Sequence, residues 1–466
     1  MISIDTLPDD VLLVIFDHHL CNVRREAQYH YPRDKRVEKA WKSLVHVCRR
    51  WRSIVFESPR RLDLRLVCTG RTPARDRLDV WQTLPLIIEV DFGDSKRNMD
   101  NIIAALERTD RVCQIDLLDA PSPDMEIFLA AMQQPFPALT HLRLQSNDET
   151  LPIPDSFLGG SAPLLEDLAL DHIPFPGLLK LLLSTTHLVT LNLISIPHSG
   201  YFPPDTIATV LSTLTVLDSF GLGFISTRSC PDRESRRPPP STRTVLPFLI
   251  HFWFKGVSEY SEDLIALIDA PQLKNLSITF FNDIVFDTPQ LTRFISRTSK
   301  LKALERADIT FLDYAARVDF SSWTSYGGSF MVEVSCKGLD WQLSSLEQVC
   351  TSCLPPLSML ENLYFDDPQA DWTDIIDDEL WVELLRPFSA VKRLFLSDKA
   401  ASYVGSALQE LVEGRTTEAL PTILPTVQTI FVKWLEPSGY LQEGIGQFVA
   451  ARQVSGHHID VSDWSY

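Results

Sequence analysis

A short apolar run near the start of the chain, in LPDDVLLVIF, predicts the first helix. Val11 to Phe16 are all apolar, and they follow Asp9 and Asp10, acidic residues that are favoured at the positive end of a helix dipole. Pro8 suits the first helical position. Because apolar residues occupy several faces of this helix, we expect it to be buried on more than one side.

A second helical pattern lies in the stretch AWKSLVHVCRRWRSIVFESP. Apolar residues recur there at helical spacing from Leu44 to Val55, and Pro59 ends the helix. The two patterns predict a helical N-terminal domain over residues 1–65, called the head below. A domain this small buries little apolar surface by itself, so the head is expected to pack against something else.

The rest of the chain repeats a third pattern, with apolar residues at positions x, x+3 and x+5. The clear copies are ALTHLRLQSN (138–147), LLEDLALDHIP (164–174), HLVTLNLISIP (187–197), QLKNLSITF (272–280), MLENLYFDD (359–367), AVKRLFLSD (390–398) and TVQTIFVKW (426–434). Weaker copies end at Leu117, Leu222, Phe254 and Ile309. This is the LxxLxL spacing of a leucine-rich repeat, in which a short strand directs alternate side chains into the core.

From Leu117 to Ile309 successive copies are 23 to 32 residues apart, which is enough chain for one strand and one helix. Stretches with helical apolar spacing between the strands are 175–185, 261–270 and 288–299. Ser261 and Thr288 are predicted to cap the last two helices. The charged, proline-rich stretch 226–243 is predicted to be a loop. The copy at Ile309 is expected to follow the copy at Ile278 directly.

The fold class predicted by these patterns is α/β. A small N-terminal helical domain is followed by an irregular leucine-rich-repeat solenoid over residues 80–435, in which helices line a curved parallel sheet. Residues 436–466 are expected to form a C-terminal cap or tail.

Partners of such an array usually bind its concave side, which carries the residues between the strand anchors. Aromatic side chains and arginine are frequent anchors of protein interfaces. The candidates for substrate contact are therefore Arg143, Trp253, Tyr364, Phe395 and Phe431. The alternative is that a tail or loop folds over these side chains and makes them part of the core.

The charge of the chain is divided unevenly. The formal net charge is −18, but residues 1–77 carry a net charge of +6 and the remainder −24. The overall charge disfavours nucleic acid and anionic membranes as partners. The basic N-terminal end indicates either a solvated surface or an acidic protein partner. No apolar run approaches the ~20 residues that cross a bilayer, so we expect a soluble, intracellular protein.

Cysteines and catalytic motifs give no sign of a metal, a cofactor or an enzyme. The eight cysteines are too far apart for a disulfide scaffold, and Cys350 and Cys353 form a CxxC without a second pair at zinc spacing. The sequence has no P-loop, no GxSxG and no HExxH. We expect no metal site, no cofactor and no catalytic residues.

The head resembles an F-box. The residues that carry the resemblance are Leu7-Pro8-Asp9-Asp10-Val11-Leu12 with Ile15-Phe16, followed by Val47-Cys48-Arg49-Arg50-Trp51-Arg52. Together with the degenerate leucine-rich repeats, the chain is similar to fungal F-box proteins. The resemblance implies a substrate receptor of an SCF-type ubiquitin ligase, in the cytoplasm or the nucleus, whose head binds an acidic Skp-family adaptor and through it a cullin.

Eight residues of the head match positions that face the adaptor or the core in that family. They are Leu7, Pro8, Val11, Ile15, Phe16, Val47, Cys48 and Trp51. The alternative is that all eight are local core. The interval from Phe16 to Trp41 is longer than in a compact F-box, which leaves a second function open: a repeat scaffold that binds a partner without ubiquitylation. An enzyme hidden in the weak repeats around 310–350 is a third.

Overall fold

A computed structural model gives the structure of the 466-residue chain. It describes residues 6–27, 40–59, 61–70, 78–92, 99–148, 152–176, 178–230, 242–281, 287–302, 304–322, 327–352, 357–366, 378–413, 423–433 and 443–464. The chain divides into two compact units, Met1–Leu188 and Val189–Tyr466, called the N-terminal and C-terminal units below. Both combine helices with mostly parallel strands, which confirms the predicted α/β class.

The N-terminal unit begins with helices and continues with alternating strands and helices. Its α-helices are α1 (Asp9–Ala27), α2 (40–45), α3 (Arg49–Glu57), α4 (Met99–Leu106), α5 (Ser122–Ala131) and α6 (Leu178–Leu182), and residues 78–80 are also helical. Its strands are β1 (Leu66–Cys68), β2 (Leu86–Asp91), β3 (Val112–Ala120), β4 (His141–Ser146) and β5 (Asp167–Asp171). These strands lie side by side in chain order and all pairs are parallel.

The first predicted helix is confirmed, and the second is wrong in its extent. In α1, the Leu12 amide donates to the Pro8 carbonyl at 3.1 Å, so Pro8 stands at the start of the helix. The predicted helix over 40–59 is interrupted, because Cys48 takes an extended conformation and caps α3. Its sulfur accepts a hydrogen bond from the Trp51 amide at 3.4 Å. Apolar spacing continues across such a break and does not reveal it.

An aromatic cluster fastens the helices of the head to the first strands of the same unit. The ring centroids of Trp41 and Trp81 are 5.7 Å apart, and those of Phe56 and Trp81 are 4.5 Å apart. Arg111 donates from its guanidinium to the carbonyls of Trp81 and Leu84, and burial lowers the pKa of Arg111. The helices that carry Trp41 and Phe56 therefore have a fixed position against the segment that leads into β2.

The C-terminal unit contains thirteen described strands and seven described α-helices. The strands are β6 (Thr190–Ile196), β7 (Ser219–Phe224), β8 (Thr244–Val245), β9 (His251–Gly256), β10 (Ile268–Asp269), β11 (Asn275–Phe281), β12 (Arg306–Phe311), β13 (Ala316–Ser321), β14 (Ser329–Ser335), β15 (Asn362–Phe365), β16 (Arg393–Leu396), β17 (Thr429–Val432) and β18 (Asp460–Asp463). The helices are α7 (Pro204–Leu211), α8 (Ser258–Leu267), α9 (Pro289–Arg297), α10 (Leu339–Ser352), α11 (Asp378–Leu385), α12 (Asp398–Glu413) and α13 (Glu443–Val454).

All seven clear copies of the x, x+3, x+5 pattern lie on strands, and so do the four weaker ones. Within a copy the last two anchors are buried: Leu142 and Leu144 in β4 are 1% and 0% exposed. The residues between these anchors lie on the opposite face of the sheet, because side chains alternate along a strand. The strand prediction is therefore confirmed at every copy.

The expected order of the strands is wrong at one place. The main sheet of the C-terminal unit runs β6-β7-β9-β11-β14-β13-β12-β15-β16-β17-β18, so β13 and β14 separate β12 from β11. β13 is antiparallel to both of its neighbours. The connections 312–315 and 322–328 are too short for a helical crossover and can only join antiparallel strands. The copy at Ile309 is thus not the direct neighbour of the copy at Ile278.

The N-terminus of α9 is capped by a side chain of the preceding helix, α8, and not by the predicted residue. Thr288 stands at the cap position without a side-chain capping bond. The Glu262 carboxylate of α8 instead accepts the amides of Gln290 and Leu291, both at 2.8 Å. Burial raises the pKa of Glu262, against the opposing effect of these two amides. Ser261 was predicted to cap α8, but this helix begins at Ser258, so Ser261 lies inside it and is not its cap.

Some predicted segments lie partly outside the described residues. Of the loop predicted over 226–243, residues 231–241 are not described, and of the C-terminal segment 436–466, residues 436–442 and 465–466 are not described. The described part of that segment forms α13 and β18, and β18 pairs in parallel with β17. Among the described residues no cysteines are joined by a disulfide, and Cys353 lies outside those residues.

Replacing Glu262 by alanine should reveal the energy of the remote cap. The Glu262→Ala variant leaves the buried Leu291 amide and the half-buried Gln290 amide of α9 without an acceptor, so we expect the free energy of unfolding to fall by about 1–3 kcal/mol. Urea unfolding of the full chain measures this. Glu410 is exposed on α12, and Glu410→Ala should change stability by less than about 0.5 kcal/mol. Equal effects of the two substitutions would contradict the capping role.

Candidate interaction surfaces

The first helix carries an apolar stripe that is exposed in the part of the chain that the structure describes. Val11, Val14 and Ile15, called the α1 stripe below, are 39%, 57% and 42% exposed. Their i, i+3, i+4 spacing places them on one face. Leu7 is half-buried and Pro8 is exposed just before the helix. Isolated exposed aliphatic residues are ordinary, but three on one helical face form a surface suited to a partner.

The opposite side of α1 forms the interior of the head, and it includes one residue predicted to face a partner. Phe16 is 1% exposed and packs against Trp51, with ring centroids 4.7 Å apart. Phe16 is therefore a core residue, and the expected partner contact is corrected. The guanidinium of Arg50 in α3 donates to the Asp9 carboxylate at 2.6 and 3.0 Å, which ties the starts of the two helices together.

The remaining residues of the predicted head surface differ in exposure. Val47 is 58% exposed in the turn before α3, whereas Cys48 and Trp51 are half-buried. Cys48 acts as the cap of α3, and Trp51 covers Phe16. Val14 is the most exposed member of the α1 stripe and was not among the predicted contacts. Its spacing from Val11 is the signal that could have identified it.

Arg143 lies among carboxylates on the outward face of the N-terminal unit. It is exposed on β4 and stands beside Asp116 of β3 in the register of the sheet. His141, also on β4, pairs in register with Asp167 of β5. Burial raises the pKa of Asp116 and of Asp167, while Arg143 and His141 act in the opposite direction on both. The surface around Arg143 is thus polar and carries both signs of charge.

Three aromatic rings stack in register on the C-terminal unit. Tyr364, Phe395 and Phe431, called the aromatic ladder below, are register partners on β15, β16 and β17. The centroids of Tyr364 and Phe395 are 4.0 Å apart with planes 5° from parallel, and those of Phe395 and Phe431 are 4.5 Å apart at 6°. Adjacent strands about 4.8 Å apart bring identical positions into stacking distance. The sheet thus brings together three residues predicted to contact substrate.

Other side chains cover part of the aromatic ladder. The Arg306 guanidinium lies 3.9 Å from the Tyr364 ring centroid, and the Trp464 ring approaches Tyr364 and Phe395 edge-on at 5.7 and 5.6 Å. Tyr364 is only 6% exposed as a result, whereas Phe395 and Phe431 keep partial exposure. For Tyr364 the expected substrate contact is corrected, because a residue of the C-terminal segment covers it.

Trp253 on β9 occupies a recess made by two glycines of the neighbouring strand. A Cβ atom placed on Gly223 would lie 2.5 Å from the indole, so no side chain fits there without moving the ring. A Cβ atom on Gly221 would lie 2.4 Å from the Asn192 amide oxygen and 3.6 Å from the indole. The sequence FGLGF of β7 therefore makes room for Trp253, which remains half-exposed.

Neither metal ligands among the described residues nor known relatives point to a function for this chain. Across the described residues, no three His, Cys, Asp or Glu side chains come together in a way that could hold a metal ion. None of the described helices combines the length and apolarity needed to span a membrane. No protein-family profile matches this chain, and no curated protein does either.

The fit between Trp253 and Gly223 can be tested by a double-mutant cycle. Gly223→Ala should lower the free energy of unfolding by about 1–3 kcal/mol, because the added methyl group displaces the indole. In a Trp253→Ala background the same change should cost much less, since the ring is gone. Urea unfolding of the four proteins gives the coupling. The same cost in both backgrounds would show that the ring does not occupy the glycine recess.

Proposed function

We propose that this chain is the substrate-recognition subunit of an SCF-type ubiquitin ligase. In this proposal the head is an F-box that binds a Skp-family adaptor and through it a cullin. The repeats form a leucine-rich-repeat solenoid that binds a protein substrate. The chain supplies proximity and orientation, and other subunits transfer ubiquitin. The observation that carries the proposal is the exposed α1 stripe, which lies on a head that buries its large side chains Phe16 and Trp41.

The head has the chemistry that an acidic adaptor would need. The α1 stripe offers aliphatic contact area, and Val47 adds a further exposed aliphatic residue before α3. The net charge of +6 over residues 1–77 complements an acidic partner and accelerates its approach. A helical apolar stripe surrounded by charged residues is a common way for one protein to dock on another.

The repeats offer a recognition face of rigid aromatic side chains. Trp253, Phe395 and Phe431 project from strands of the C-terminal unit and keep partial exposure. Aromatic anchors that are held by stacking lose little side-chain entropy when a partner binds. These residues are therefore the favoured substrate contacts of the proposed receptor, together with Arg143 on the N-terminal unit.

Transfer by proximity also requires that the head be held firmly. The cluster of Trp41, Phe56 and Trp81, with Arg111 clamping the segment that follows, joins the head to β2. An adaptor bound to the α1 stripe would therefore take a defined orientation relative to the strands of the N-terminal unit. A flexible tether would spread the same contact over many orientations.

Charging the α1 stripe should remove the adaptor. The double variant Val11→Asp, Ile15→Asp places two carboxylates on the stripe, and we expect co-purification with a co-expressed Skp-family adaptor to fall at least about tenfold. Val245 is 57% exposed in the C-terminal unit, so Val245→Asp is the matched control and should retain the adaptor. Circular dichroism checks that the variants fold. Adaptor binding that survives in the folded double variant would exclude this surface.

Cullin recruitment separates the receptor from a scaffold that acts outside ubiquitylation. We expect a cullin to co-purify with the chain when the adaptor is present, and to be lost together with it in the Val11→Asp, Ile15→Asp variant. The physical reason is that the adaptor bridges the two proteins. Pull-down followed by immunoblotting measures both. Adaptor binding without cullin would favour the scaffold.

A further inference from the structure

The aromatic ladder ends on the outer side of Phe431. One face of this ring stacks on Phe395, and the other is turned toward β18, where the register partner of Phe431 is Ser462. Serine is too small to cover a phenyl ring. Among the described residues, Phe395 is the one aromatic ring that contacts Phe431. The ladder therefore stops one strand before the sheet does.

The opposite end of the ladder shows which group completes such a stack. There the Arg306 guanidinium lies over Tyr364 at 3.9 Å. The Asp308 carboxylate accepts from Nε of Arg306 at 2.8 and 3.0 Å and from Nη2 at 2.6 Å. A planar cation on an aromatic face, held by a carboxylate, is a favourable arrangement because the ring face is electron-rich.

The Phe431 end of the ladder offers the same two groups for a guanidinium, an aromatic ring face and a carboxylate. Asp460 precedes Ser462 by two residues on β18, so the two side chains lie on the same face of the sheet as Phe431. Asp460 is 71% exposed, and its ion pair with His458 at 3.4 Å exists only when that histidine is protonated. The basic residue Lys433 lies beyond Phe431 on the side away from Asp460. Ser462 is half-buried, and its position is bordered by the Phe431 ring face on β17 and by the exposed Asp460 carboxylate on β18.

We propose that Phe431, Ser462 and Asp460 form a slot for an arginine side chain of the protein partner. The inference rests on the proposed role of the ladder face in substrate binding. The partner's guanidinium would stack on Phe431 as the fourth planar group after Tyr364, Phe395 and Phe431, and donate to Asp460. The net charge of −24 beyond residue 77 favours a basic segment at this face. Lysine lacks the planar group, so the slot discriminates between the two cations.

Peptide binding to the full chain tests the slot. The probes are fluorescein-labelled Gly-X-Gly-X-Gly-X peptides in which X is arginine, lysine or citrulline, and fluorescence anisotropy near 0.15 M salt measures binding. We expect the arginine peptide to bind about fivefold or more tightly than the lysine peptide, and the uncharged citrulline peptide to bind weakest. Phe431→Leu should bring arginine to the lysine level, and Asp460→Asn should weaken arginine binding severalfold.

A second variant fills the slot with an arginine of the chain itself and removes no packed side chain. Ser462→Arg places a guanidinium on the Phe431 face from within the chain, so the preference for arginine peptides should disappear. Gln453 is exposed on α13, and Gln453→Arg adds the same charge elsewhere and should keep the preference. Equal binding of arginine and lysine peptides by the unmodified chain would overturn the slot, and so would a preference that persists in Ser462→Arg. Adaptor co-purification, measured on the same proteins, reports separately on the proposed function.

Discussion

In-register pairing of parallel strands is the constraint on which this protein depends. Strands about 4.8 Å apart place equivalent positions of successive repeats in rows. One row, of Leu363, Leu394 and Ile430, is fully buried. The neighbouring row on the other face is the aromatic ladder, with ring centroids 4.0 and 4.5 Å apart. The core row and the aromatic ladder are consequently two sides of one arrangement, and a slip in register would destroy both.

The hairpin formed by β13 and β14 interrupts the parallel pairing and brings charged side chains together beside the aromatic ladder. Antiparallel pairing sets Asp319 directly opposite Asp308, a like-charge contact between neighbouring strands. Arg317 forms an ion pair with Asp319 at 2.8 Å and opposes the rise in the pKa of Asp319 that burial and Asp308 produce. Arg306 forms an ion pair with Asp308 at 2.6 Å and also covers Tyr364. The strand beside the hairpin thus supplies the cation that ends the ladder.

The sequence predicted individual strands far better than their neighbours. Anchors at x, x+3 and x+5 report only that a strand buries one face, and this is a local property that Leu142 and Leu144 show clearly. Whether β12 lies beside β11 depends on the chain that follows β12, where short connections enforce a hairpin. Thr288 failed as a cap for a related reason, because the acceptor that α9 uses is Glu262 of the preceding helix.

The candidate contacts illustrate the same limit at the level of side chains. Phe16 and Val14 are both apolar and both on α1, and only the position of Trp51 decides that Phe16 is inside. Likewise, nothing near Tyr364 in the sequence indicates that Trp464, a hundred residues away, covers it. Alternation along a strand correctly placed Phe395 and Phe431 on the outward face. Which of the stacked rings keeps a free face depends on what the neighbouring strands carry.

The spacing of the exposed aromatic groups limits the partners that can use all of them. Trp253 lies on β9 and Phe431 lies on β17. Six strands, β11, β14, β13, β12, β15 and β16, lie between them in the sheet. At about 4.8 Å per strand this corresponds to about 34 Å along the sheet. An extended chain of about ten residues is needed to cover that distance. Two of the intervening strands are β13 and β14, so the hairpin helps to set the length of the segment that could contact both ends.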